Sequence, residues 1–158
     1  MAWRDEPIVY MWRHLWRYAG SNRPSVVLYV ALSVIANCIS ALTPLLVAWM
    51  LDTVQTEGFS NPTKLVGIVC LFLIAQVVFW SFHGPSRVLE FRNAFIVRAN
   101  YRKHLVEGVL ALPASWHAEH HSGDTIDKIE KATSALYRFS SASFEIIEAV
   151  VRLITSFI

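Results

Sequence analysis

The chain has 158 residues, of which 54% are hydrophobic, 13% aromatic and only 16% charged. Soluble domains carry about 25% charged residues, so this composition excludes a disordered chain. The net charge of +2, from 14 Lys and Arg against 12 Asp and Glu, provides no global field for nucleic acid. The apolar residues are gathered into two long uncharged stretches, and a globular core would spread them more evenly. That pattern predicts an all-α membrane protein whose first partner is the lipid bilayer. Cys38 and Cys70 fall inside these stretches and read as small buried hydrophobes, not as a disulfide framework.

In chain order, residues 1–23 form an N-terminal tail and an amphipathic elbow. Within it, Ile8 to Ala19 interleaves Tyr10, Trp12, Leu15, Trp16 and Tyr18 with Arg13, His14 and Arg17. This mixture of cations and interfacial aromatics suits a helix lying along the inner leaflet; a soluble helix packed on neighbours is the alternative. Residues 24–51 lack any charge, and about 28 helical residues reach roughly 42 Å, enough to cross a hydrocarbon core of roughly 30 Å. The run is longer and begins later than a secretory signal would. Asp52 to Lys64 contains Gly58, Ser60, Asn61 and Pro62, the composition of a turn between antiparallel spans. A second uncharged run, Leu65 to Ser86, contains His83 and can also cross.

Basic residues set the orientation. Arg4, Arg13, Arg17 and Arg23 precede the first span, and Arg87, Arg92, Arg98, Arg102 and Lys103 follow the second, whereas the turn has Lys64 alone. The reading is a multi-pass protein of the cell (inner) membrane with its N-terminus in the cytoplasm. The second helix should continue to residue 112, kinked at Pro85. Val88, Phe91, Phe95, Ala99, Val106 and Val109 mark an apolar face there, and Glu90, Asn93, Asn100, Lys103 and Glu107 a polar one. Leu112 and Pro113 interrupt it.

Residues 113–122 hold a short segment, after which Ser122, Gly123 and Asp124 offer a break, a cap and a first-turn acid. The returning helix, 123–158, carries Ile126, Ile129, Thr133, Leu136, Ser140, Phe144, Ile147, Val151 and Ile154 on one stripe. A return as long as the outgoing arm reaches the membrane near Ala149, so the remaining residues cover about half a bilayer. A third span cut short there predicts the front part of a longer protein, because unpaired carbonyls in hydrocarbon are costly.

Three features together carry a family resemblance: the elbow, the first span with Pro44 ending Leu51-Asp52-Thr53, and the long second helix. With Leu110-Ala111-Leu112-Pro113-Ala114-Ser115-Trp116 and Ser122-Gly123-Asp124, the chain resembles the first intracellular turn of ATP-binding cassette exporters. It departs from that pattern at Ala132, where an aspartate is common, and at Asp127-Lys128, where serine-arginine is usual. The resemblance implies the type 1 exporter fold: long transmembrane helices extending into the cytoplasm, joined by a short coupling helix. In this chain the coupling helix would comprise Ala114, Ser115, Trp116, His117, Ala118, Glu119, His120 and His121. The implied partners are nucleotide-binding domains of the same transporter and a second transporter half, identical or different. ATP and magnesium would bind the nucleotide-binding domain, not this chain. None of its six glycines opens a G-x-x-x-x-G-K-[ST] loop, so the chain itself carries no catalytic site or cofactor, while the parent would hydrolyse ATP.

The cluster His117, Glu119, His120 and His121 lacks the H-E-x-x-H spacing, although His117 and His121 would share a face in a short helix. It reads as solvated or partner-facing polar residues and not as a metal site. Trp116 is equally suited to packing within the turn and to docking in a partner groove. Glu145, Glu148 and Arg152, where the third helix enters the membrane, are read as an interfacial ion pair or as part of a substrate path. Asn37, Ser40, Thr43 and Gln76 suit interhelical hydrogen bonds better than substrate contacts. Two other functions compete with transport: a membrane-anchored helical interaction module, and a metal-dependent enzyme built on the histidines. The topology makes its own prediction. With Cys38 and Cys70 replaced, a cysteine at Ser60 should react with an impermeant thiol reagent from outside, and one at Ser122 only after lysis. Labelling of both from one side contradicts the two-span arrangement.

Overall fold

In the computed structural model, residues 7–58 and 60–155 are described. Residues 1–6 of the expected elbow and tail, residue 59 of the expected turn and residues 156–158 of the expected third span lie outside them. The described residues form helices without a strand: α1 (Pro7–Ala19), α2 (Arg23–Ser40), α3 (Thr43–Glu57), α4 (Pro62–Leu110), α5 (Ala114–Glu119), α6 (Ser122–Ser141) and α7 (Ser143–Thr155). A short 3-10 turn, Gly20–Asn22, joins α1 to α2. Two stretches are long and apolar enough to cross a membrane, Pro7–Glu57 and Pro62–Leu110. Within α4 only 6% of the most apolar window is buried by the rest of the chain. The core helix of a soluble protein would bury most of it, so this apolar surface suits lipid or further helices.

The chain divides into two compact units. One gathers the residues up to Val27 with Val88–Ser143; the other gathers Leu28–Arg87 with the residues from Phe144.

In the second unit, the single helix expected over 24–51 is two helices, separated at Ala41 and Leu42. Pro44 stands in the first turn of α3, where its missing N–H costs nothing, and proline disfavours helical backbone at the residue before it. Ala41 N–H still reaches Asn37 O at 3.0 Å, but Leu42 N–H bonds Ile39 O at 3.1 Å, a tightened last turn. Asn37 Nδ2 donates to Ser33 O at 2.9 Å within its own helix and not to a neighbouring helix, contrary to the sequence expectation. The interhelical bond comes from residues that hydropathy did not single out: Ser86 Oγ, fully buried, donates to Tyr29 O at 2.9 Å. Cys38 and Cys70 are free thiols on the exposed surface, not buried as expected, because these helices turn their apolar sides outward.

The helices flanking the expected 52–64 turn extend into it, α3 to Glu57 and α4 from Pro62. Gly58 ends α3 at φ 57°, a conformation that glycine alone adopts without strain, and its N–H caps Val54 O at 3.0 Å. Asn61 Oδ1 accepts from Lys64 N–H at 3.3 Å, Pro62 opens α4, and Glu57 pairs with Lys64 across the connection. Pro85 lies inside α4 without ending it.

In the first unit the second half of α4 runs antiparallel to α6. Glu90 stands opposite Ser143, Phe95 opposite Tyr137 with ring centres 5.2 Å apart, and Arg98 pairs with Glu130. From Val88 to Val97 the faces of α4 are the reverse of the sequence expectation, while Asn100, Lys103 and Glu107 further along are exposed as expected. Glu90, Asn93, Ala94 and Val97 are fully buried, whereas Val88 and Phe95 are 68% and 60% exposed. The cause is the facing stripe of the return helix, where Thr133, Ser140 and Ser143 are buried hydroxyl residues. They are small enough for close approach and can satisfy polar partners, so the polar face of α4 turns inward.

The return helix is also broken, at Ala142. Ser141 Oγ donates to Arg138 O at 3.1 Å, a hydroxyl competing with the backbone ladder, and the one Ser143 hydroxyl proton is shared between Glu90 at 2.8 Å and Ser140 O at 3.0 Å. Ala142 N–H then divides between Arg138 O and Phe139 O. Of the expected stripe, Thr133, Leu136, Ser140 and Phe144 are buried, while Ile126 and Ile154 near its two ends are exposed.

The elbow α1 packs on this hairpin. Trp12 meets Phe139 edge-on at 5.7 Å, Tyr18 lies 4.7 Å from Tyr101, and Asn100 Nδ2 donates to Tyr18 O at 2.8 Å. Gly20, at φ 56°, permits the turn out of α1. Burial first, then the neighbouring hydroxyls of Tyr10 and Tyr18, hold the Tyr101 phenol above its ordinary pKa.

Two predictions follow from this packing. Ser143→Ala removes a donor to a fully buried carboxylate and should cost about 1–3 kcal/mol, read as a lower melting temperature than that of Ser141→Ala. A raised folded pKa at Tyr101 means its stabilisation is complete below the unfolded value of about 10 and lost as pH rises through the folded one. Tyr101→Phe should therefore delay alkaline unfolding and remove a phenolate that forms above the ordinary range, both followed by absorbance.

Candidate functional site

The turn between α4 and α6 is built by a stepwise loss of helix. Ala111 N–H still bonds Glu107 O at 3.1 Å, Leu112 N–H falls back to Val109 O at 3.1 Å, and Pro113 has no N–H to offer. Pro113, extended at ψ 152°, starts α5, and its carbonyl accepts from Trp116 N–H at 3.0 Å. Six residues later α5 ends, and His120 and His121 are extended, with ψ of 128° and 125°. The expected cap moves accordingly: His121 occupies the N-cap position of α6 without a side-chain bond, Ser122 is the first helical residue, and Asp124 remains the first-turn acid.

Ala114, Ser115, His117, Ala118, Glu119, His120 and His121 are all exposed, and Trp116 alone is half-buried. Its indole stacks on the His120 ring at 4.2 Å and 12° and meets the His117 ring edge-on at 5.2 Å. His120 Nδ1 also bonds Trp116 O at 2.9 Å. Sequence reasoning paired His117 with His121 on one helical face; because α5 ends at Glu119, the pair four apart that interacts is Trp116 and His120. Beneath the indole is a groove of about 320 Å³, walled by Val106, Val109 and Leu110 of α4 and by Ile126 and Ile129 of α6. Trp116 covers this groove from one side while keeping part of its ring exposed. Among the described residues, no three His, Cys, Asp or Glu side chains gather as a metal site would require.

Charge pairs fix the two arms above the turn. Arg98 and Arg102 both pair with Glu130, the latter at 3.5 Å, so one carboxylate bridges two cations of α4. Along α6, Asp124 pairs with Lys128 at 2.8 Å and Asp127 with Lys131 at 2.6 Å. The Lys128 ammonium, hydrogen-bonded to it, holds the Asp124 carboxyl below the ordinary carboxylate range, and Asp127 raises Lys131. A lowered carboxyl pKa contributes to helix stability above the unfolded pKa and loses it as pH falls through the folded one; fully exposed, this pair contributes little. In the second unit, Glu148 pairs with Arg152 at 2.6 Å and Glu145 is exposed one turn earlier. There too, the ring of His83 lies between Phe79, stacked at 4.9 Å, and Phe144, edge-on at 4.8 Å, and its Nδ1 is buried without a partner.

Comparison with known proteins gives the family. No curated protein matches the chain, and no solved structure does. The family model described as the ABC transporter transmembrane region matches residues 26–158, which include both apolar stretches, the α4–α6 hairpin and the turn with Trp116. The chain therefore belongs to the ABC transporter transmembrane family.

Proposed function

We propose that this chain serves in an ATP-driven exporter, as part of the substrate pathway and as the first contact with the nucleotide-binding domains. Its N-terminus and the α5 turn lie on the cytoplasmic side, since Arg and Lys flank both apolar stretches and nearly avoid the connection between them. The observation that carries the reading is α5 itself. A six-residue helix at the end of two arms presents every side chain but Trp116 to its surroundings, and a surface so placed has contact with another domain as its plausible use. ATP and magnesium belong to that other domain: no residue run in this chain forms a phosphate-cradling loop, and no chemical step is assigned to it.

A second observation supports assembly with more helices. Val88, Phe91 and Phe95 on α4 are exposed apolar residues beyond the uncharged stretch, and a further set of helices or a second transporter half would cover them. Glu148 and Arg152, paired on one face of α7, are the residues proposed to border the substrate path, with Glu145 beside them.

The test is Trp116→Ala in the complete transporter. A half-buried indole that anchors a docking surface can contribute a few kcal/mol there. The variant should insert normally and bind substrate nearly as the parent does, with less stimulation of ATP hydrolysis by substrate and slower transport. Normal coupling with a lower melting temperature contradicts the proposal, because the indole then only packs the hairpin.

A further inference from the structure

From Pro7 to Leu51 the sequence contains no Asp or Glu, yet it contains Arg13, Arg17 and Arg23. Three stripes follow one another around α1 at about 100° per residue. Leu15, Tyr18 and Ala19 are buried against the protein. Beside them Val9 and Trp16 are 44% and 45% exposed. Next to these come Arg13 and Arg17, one turn apart on one face and both exposed. Among the described residues no carboxylate pairs with Arg13, Arg17 or Arg23. Arg23 Nε donates to Trp16 O at 3.2 Å, and its guanidinium stands 5.5 Å from the Trp16 ring centre, which fixes a third cation at the edge of the apolar stripe.

We propose that α1 and Arg23 form a binding site for the phosphate of an anionic phospholipid. Val9 and Trp16 meet the acyl region, while Arg13, Arg17 and Arg23 meet phosphate oxygens, which planar guanidinium groups can grip in pairs. A zwitterionic lipid offers the same phosphate with a cation attached, so arginines that meet no carboxylate among the described residues favour a net negative headgroup. Free phosphate would satisfy the arginines and leave the apolar stripe in water. The charge pattern and the apolar stripe therefore select a lipid together. The chain also enters its first apolar stretch directly after Arg23, which keeps the site within reach of the leaflet.

The test uses the full chain in nanodiscs of phosphatidylcholine with increasing phosphatidylglycerol, and reads the ratio of the two lipids retained on the purified protein. The parent should enrich phosphatidylglycerol, less so at high salt. Removing charge in Arg13→Gln with Arg17→Gln should lower the enrichment by about fivefold per arginine at low salt, from about 1 kcal/mol per basic residue near an anionic surface. Lys128→Gln with Lys131→Gln should leave it unchanged. Arg13→Lys with Arg17→Lys, which keeps both charges, should retain most of it and keeps the test open if the glutamine variant folds poorly. Excess inorganic phosphate at matched ionic strength should not displace the lipid. Equal enrichment in the glutamine variant, equal loss in the two glutamine pairs, loss in the lysine variant, or displacement by phosphate would each overturn the proposal.

Discussion

A buried carboxylate and an ion pair together fix the register of the α4 hairpin. Glu90 is fully buried, and an isolated charge there would cost several kcal/mol unless hydrogen bonds and opposite charge met it. Ser143 Oγ, at the start of α7, meets one carboxylate oxygen at 2.8 Å, and Ser140, one turn earlier, is a second buried serine on the same stripe. A one-turn slip of the return arm would bring Ser140 toward Glu90 in place of Ser143, but it would separate Arg98 from Glu130 and Phe95 from Tyr137 in the same step. The hairpin is thus held in one alignment by polar groups, while apolar contact alone would tolerate several.

That alignment reaches the turn. With the arms in register, Val106, Val109 and Leu110 face Ile126 and Ile129 across the groove, and Trp116 closes over them. The position of α5 is therefore a consequence of pairing several turns away. The charge bridge from Arg98 and Arg102 to Glu130 occurs where this chain lacks the aspartate expected at Ala132, so the link between the arms is made by a different acid. α5 itself is held at its start by Pro113 and at its end by the Trp116–His120 stack, and Ala114, Ser115, Ala118 and Glu119 are exposed.

What the sequence made legible follows from which forces leave a local signature. Uncharged runs mark apolar helices because solvation is a property of each residue, so both long apolar stretches could be read directly. Leu112-Pro113 marks the end of α4 because proline acts on its own turn. The orientation of α4 was not legible. The usual rule sends apolar residues inward, whereas here Val88 and Phe95 face out and Glu90 and Asn93 face in, since the partner stripe includes buried Thr133, Ser140 and Ser143. That choice depends on residues fifty positions away. The break at Ala142 and the hydrogen bond from Ser86 to Tyr29 depend on which carbonyl a hydroxyl selects, and composition does not encode that. The stack of His120 on Trp116 was hidden for a simpler reason: it requires knowing that α5 stops at Glu119.

The alignment of α4 with α6 can be measured directly by cross-linking in the intact membrane protein. Phe95 and Tyr137 are surface aromatics in contact, and their replacement by cysteines leaves the buried polar groups untouched. With Cys38 and Cys70 removed, the pair Phe95→Cys and Tyr137→Cys should be joined rapidly by a short bifunctional thiol reagent, and Phe95→Cys with Ser141→Cys, one turn along, slowly. Cross-linking that favours Ser141 over Tyr137 would contradict the register on which the groove and the position of α5 depend.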